Sequence, residues 1–155
     1  MTQRFPTGLL LICVAYAALL PGCATHAGRV VSIRDSFYAG QIDNALAKVD
    51  REIARGKTDV DALKLDRAII ELASGRPADA ERTLREVRDR FDYLEQKDAS
   101  EVVISALTDD HKLAYAGEDY EKVLVRCFLS LSSLMHNGQD AGAYALQVGQ
   151  KQEQV

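Results

Sequence analysis

The chain has no tryptophan, three prolines and two methionines in 155 residues, and aromatic residues make up only 6%. Alternating Val/Ile/Thr segments are missing as well, which argues against a β-sandwich or barrel. Positive charge is scarce. The 19 Lys and Arg residues face 23 Asp and Glu, for a formal charge of −4. That excludes a broad phosphate-binding surface and removes nucleic acid from the expected partners. No phosphate loop, dinucleotide-type glycine fingerprint, Gly-x-Ser-x-Gly elbow or His-Glu-x-x-His motif occurs. We therefore expect no enzyme, no metal site and no cofactor other than a covalent lipid. What remains is 47% hydrophobic and 27% charged residues, an ordinary globular composition in a length suited to one domain.

The N-terminus carries one charge, Arg4, followed by the unbroken apolar run GLLLICVAYAALL from Gly8 to Leu20. A membrane-spanning helix needs about 20 such residues, so this run reads as the core of a signal peptide. Leu20-Pro21-Gly22-Cys23 follows it. These residues resemble the lipobox of bacterial lipoproteins, with Pro21 as the one departure. The resemblance implies cleavage after residue 22, acylation of Cys23 and a lipidated tether over residues 23–28. Ala24, in place of Asp, implies export to the outer membrane with the domain facing the periplasm. The signal would take Cys13 with it and lipid would occupy Cys23. Cys127 would be left without an intramolecular disulfide partner, and we expect it to be a buried thiol.

From residue 29 onward the apolar spacing is helical. Val30, Ile33 and Phe37 form one stripe, and Ile42, Leu46, Val49 and Ile53 the next. Leu65, Ala68, Ile69 and Leu72 form a third, and Ala80, Leu84, Val87 and Phe91 a fourth, whose outer face (Glu81, Arg82, Arg85, Glu86, Arg88, Asp89, Arg90) reads as solvated charge. Gly40 and Gly75 stop the first and third stripes, and an alanine stands five residues after each, Ala45 and Ala80. The 35-residue offset and the Gly-plus-five-Ala spacing resemble the tetratricopeptide repeat, whose period is about 34; its aromatic signature is mostly missing here. Residues 94–117 interrupt the pattern. A strongly amphipathic helix then begins near Glu118, with Tyr120, Val123, Leu124, Cys127, Phe128, Leu131, Leu134 and Met135 on the face expected to point inward. Asn137-Gly138 stops it. A final helix with Ala141, Ala143, Leu146 and Val148 inward repeats the Gly-plus-five spacing at Gly138 and Ala143. The expected fold is all-α: antiparallel helical hairpins over about 29–55, 58–93 and 118–153, stacked as a short tetratricopeptide-like solenoid.

Tyr115-Ala116-Gly117-Glu118-Asp119-Tyr120-Glu121-Lys122-Val123-Leu124-Val125 resembles the signature of a little-characterised family of bacterial lipoproteins with tetratricopeptide-like repeats. The resemblance supports helical repeats and envelope location and implies no reaction. The expected function is a lipid-anchored envelope adaptor or scaffold that binds another envelope protein through its repeat surface. Tyr115, Gly117 and Tyr120 are its candidate partner-binding residues, although Tyr120 is first of all expected to be a core aromatic and Tyr115 a loop residue. Two alternatives stay open. The acidic loop 109–121, with Asp109, Asp110, His111, Glu118, Asp119 and Glu121, could serve a small enzyme or hold a cation. The chain could also be a structural piece of a longer solenoid.

Overall fold

The computed structural model describes residues 26–56, 60–101 and 115–155. Among the described residues six helices follow one another: α1 His26–Tyr38, α2 Ile42–Ala54, α3 Val60–Ala73, α4 Pro77–Glu101, α5 Asp119–His136 and α6 Ala141–Gln154. No strand occurs among the described residues. Each helix packs mainly on the next in sequence, and short turns make α1–α2, α3–α4 and α5–α6 antiparallel hairpins. Such nearest-neighbour packing is how a helical solenoid is held together.

The first two hairpins are built alike at atomic level. Gly40 and Gly75 both adopt positive φ (74° and 72°). In each, the glycine N–H donates to a carbonyl three residues back, on Phe37 or Leu72, and the next N–H donates five residues back, to Ser36 or Glu71. This is the Schellman ending of a helix, and only glycine enters its left-handed turn without strain. Ala45 and Ala80, the fourth residues of α2 and α4, are fully buried, which lets the paired helices approach closely.

The same 35-residue register relates two polar contacts, the first part-buried and the second buried. In the first hairpin Lys48 donates to the Ser36 hydroxyl at 2.7 Å. At the equivalent positions of the second, Thr83 donates to the Glu71 carboxylate at 2.9 Å. Donor and acceptor sides are kept while the charge moves from the donor to the acceptor. Glu71 is buried and also meets Arg67 at 3.2 Å. Burial pushes its carboxyl above the usual range, against the Thr83 hydrogen bond and the Arg67 charge.

Two apolar clusters form the core. Ile33, Ala45, Leu46, Val49, Leu63 and Ile70 make the first. Ala68, Leu84, Val87, Phe91, Val125, Leu129 and Tyr144 make the second. Helix α3 supplies residues to both, so its two sides join the N-terminal hairpin to the rest. The expected stripe of α4 is buried throughout, and that of α2 is buried or partly buried.

Several expectations need correction. Helix α4 does not end near residue 93 but runs to Glu101. No glycine or later proline interrupts it, and Leu94 extends the buried stripe by another turn. Glu81 is not on a solvated face. It is buried, accepts hydrogen bonds from Arg85 and from the Tyr144 hydroxyl (3.1 Å), and has His136 at 3.9 Å. In the third hairpin Ala143 and Leu146 are exposed, while Ala141 and Tyr144 are buried. The cause is the turn. Two residues past Gly40 and Gly75 the next helix has begun, whereas α6 begins three past Gly138. The slot of Ala45 and Ala80 therefore falls to Tyr144, and all three N–H groups donate to the carbonyl four residues back.

Candidate functional site: the outward face of the fifth helix

The segment Tyr115–Val125 organises the start of α5. Glu118 caps the helix and forms a reciprocal capping box with Glu121, in which the Glu121 carboxylate accepts from the Glu118 N–H at 2.8 Å. The Tyr115 hydroxyl donates to the same Glu121 carboxylate, and its ring meets Phe91 edge-on at 5.9 Å between centroids. Burial pushes the Tyr115 hydroxyl well above the ordinary tyrosine range, and the hydrogen bond to Glu121 adds to the effect. It serves as a fixed donor. Gly117 has φ +75°, and a Cβ there would lie 2.5 Å from the Phe91 ring. The backbone thus passes directly over Phe91, at a distance no side chain permits.

Tyr115 and Gly117 are brought together as packing residues, while Tyr120 is not part of that contact. Tyr120 is 64% exposed, against the expectation of a core aromatic, while Tyr115 lies in the loop before α5 as expected but packs on Phe91. The inversion extends along most of α5, although Phe128 packs against the core as expected. Its inward face is Lys122, Val125, Arg126, Leu129, Ser132 and Ser133. Leu124, Leu131, Leu134 and Met135, expected inside, are exposed. Cys127, expected to be a buried thiol, is also exposed. Val123 and Phe128 are intermediate.

Ion pairs with α4 explain why the helix turns this way. Arg126 donates to Asp92 at 2.6 Å and to the Lys122 carbonyl at 2.8 Å. Lys122 lies 3.6 Å from Glu95 and 3.2 Å from Asp119. Lys151 of α6, itself buried, also bonds Glu95. The Lys151 hydrogen bond holds the Glu95 carboxyl below its usual range, with both lysine charges contributing. Long basic side chains pack their aliphatic stems while their ends reach a partner, so this face is buried without being apolar. A helical wheel can place the apolar residues together but cannot see that Asp92 and Glu95 wait on the neighbouring helix.

An open groove of about 670 Å³ lies along α4, α5 and α6. Its lining includes Arg88, Asp92, Glu95, Arg126, Gln147 and Lys151. Arg126 is paired with Asp92 and Lys151 with Glu95, so the groove is a salt-bridged seam between helices. Among the described residues no group of three or more His, Cys, Asp or Glu side chains could hold a metal ion. Asp109, Asp110 and His111 of the acidic loop lie outside the described residues, as do Cys23 and the apolar run before it. Among the described residues no helix is long and apolar enough to cross a membrane.

The chemistry on display is therefore a surface. Tyr120, Leu124, Leu131, Leu134 and Met135 are exposed on one side of the same helix, which sets them apart from apolar residues scattered singly over an exterior. The two basic residues of the first three turns of α5, Lys122 and Arg126, are turned to the other side. Sequence reasoning found these apolar residues and their common face, but assigned that face to the interior. No protein-family model, no curated protein and no solved structure matches this chain.

Proposed function

We propose that this protein is a lipid-anchored adaptor of the bacterial cell envelope, which binds another protein through its helical-repeat surface. The observation that carries the reading is the apolar outward face of α5, set on a stack of hairpins whose own core is filled without it. Exposed apolar surface of this extent marks a site of protein association, and an extended helical face suits a helix or peptide partner. No catalytic step is ascribed to it. The lipobox-like Leu20-Pro21-Gly22-Cys23 supports anchoring through acyl chains on Cys23, and more than one chain is what makes such anchoring stable. Ala24 supports placement at the outer membrane, facing the periplasm, and the Tyr115–Val125 segment supports kinship with tetratricopeptide-like lipoproteins.

The anchor is tested by fractionation and intact mass. Cys23→Ala is expected to release the protein from membranes or to leave uncleaved precursor. Wild-type protein without acyl mass on Cys23, or identical fractionation of the variant, would rule the anchor out.

A further inference from the structure

Helix α5 is amphipathic in an unusual sense: its ion-paired side faces the protein and its apolar side faces water. At 100° per residue, Leu131 and Tyr120 stand opposite the buried Leu129. The outward residues Tyr120, Leu124, Cys127, Leu131 and Leu134 follow one another at intervals of four, three, four and three. That is the spacing of a coiled-coil seam, which exists to meet another helix.

The stripe is also nearly symmetric about its middle. Tyr120 and Leu134 stand seven residues either side of Cys127, and Leu124 and Leu131 stand three and four residues either side. A two-fold interface requires one patch to complement itself, with residue i meeting j and j meeting i. Like charges would forbid that, and between Tyr120 and Met135 the exposed and half-exposed residues other than Glu121 are uncharged. Glu121, at the edge, is engaged with Tyr115. An antiparallel arrangement also sets opposite helix dipoles side by side.

The area is sufficient. Tyr120, Leu124, Leu131, Leu134 and Met135 expose on the order of 600 Å², so pairing two copies would remove up to about 1,200 Å², against the ~1,000 Å² that a specific interface needs. A lipid surface fits less well, because a membrane-lying helix carries Lys or Arg beside its apolar stripe, whereas Lys122 and Arg126 are buried on the far side.

We infer that the outward face of α5 is occupied by the same face of a second copy of this chain, antiparallel, with Cys127 near the two-fold axis. The inference rests on reading this face as a protein-docking surface and names its occupant.

The test uses the full chain carrying Cys13→Ser and Cys23→Ser, so that Cys127 is the sole thiol, in non-ionic detergent at micromolar concentration. A bismaleimide linker is expected to join two chains through Cys127, and sedimentation equilibrium to give a dimer. Leu131→Glu is expected to cut cross-linking tenfold or more and to give monomer, with the melting curve of wild type diluted to monomer, because Leu131 is exposed within the chain. In a Cys127→Ser background, Tyr120→Cys chains mixed with Leu134→Cys chains are expected to cross-link far better than either alone. Equal cross-linking with and without Leu131→Glu would overturn the inference. So would a core-sized loss of stability in Leu131→Glu relative to wild type diluted to monomer, which would mean that the chain's own residues cover this face. If wild type is monomeric while its cross-linking to another envelope protein depends on Leu131, the second-copy inference fails and the docking-surface reading stands. If Leu131→Glu alters neither, both fail.

Discussion

Tyr115 and Tyr120 flank the same glycine and differ in what the fold does with them. Tyr115 gives its hydroxyl to Glu121 and its ring edge to Phe91, whereas Tyr120 stands mostly in water. Tyr115→Ala is expected to cost about 1–3 kcal/mol, from the lost packing and from a carboxylate deprived of its donor. Tyr120→Ala, compared at a dilution where the chain is monomeric, should stay within about 0.5 kcal/mol, as surface changes usually do. Chemical denaturation of the two variants checks the order, and a larger loss at Tyr120 would contradict the orientation of α5. Neither residue type nor spacing separates these tyrosines. The difference comes from Phe91, 24 positions before Tyr115 in sequence, over which the chain passes at Gly117.

At the scale of helices, the decisive feature is the fourth residue after each turn. Ala45 and Ala80 occupy it in the first two hairpins and are fully buried. In the third hairpin the turn is one residue longer and Tyr144 takes the place, reaching Glu81 with its hydroxyl. Ala80→Leu is expected to overpack the second hairpin and cost about 1–3 kcal/mol. Ala143→Leu, the change that the Gly-plus-five spacing marks as equivalent, should be nearly neutral because Ala143 is exposed. Thermal melts of the pair decide the matter, and equal losses would restore Ala143 to the interface. The positions and endings of α1, α2 and α5 were legible from their stripes and glycines. The end of α4 was not, because its last turns are mostly polar, with Leu94 buried and Glu95 engaged with residues more than 25 positions away.

For the molecule as a whole, stability joins two apolar clusters through α3 and several ion pairs around α4, and these respond to pH in opposite ways. Glu71 has its carboxyl raised by burial. The folded form therefore holds this proton more firmly than the unfolded chain. Stability from this group is fully present below the ordinary carboxylate value and falls as pH rises toward the raised one. Glu95 is lowered, chiefly by Lys151. Its contribution is present above the ordinary value and is lost as pH falls through the lowered one. Glu71→Gln retains an acceptor for Thr83, so its melting temperature relative to wild type should rise between about pH 4 and pH 7. Glu95→Gln should fall relative to wild type as pH rises through the acid range to the ordinary carboxylate value, and should run level with it above. Parallel curves for both variants would show that neither carboxyl is shifted as described.

Local sequence was enough for the all-helical architecture, because it depends on near-neighbour chemistry. The 3.6-residue apolar spacing, the left-handed glycines at 40 and 75 and the alanines that follow them act within a few residues of one another. The 35-residue relation between the first two hairpins follows from the same signals. The lipobox-like residues around Cys23 are local too, and their reading rests on sequence alone. What the tertiary structure decided is which way α5 faces. Its apolar stripe is the more hydrophobic side, and by burial alone it would turn inward. Asp92 and Glu95 on α4 instead hold Arg126 and Lys122 in ion pairs, and Glu95 also pairs with Lys151 on α6. Buried charge is tolerated only where partners are already in place. Those partners come from helices distant in sequence, so the outward apolar face of α5 becomes visible only once the hairpins are stacked.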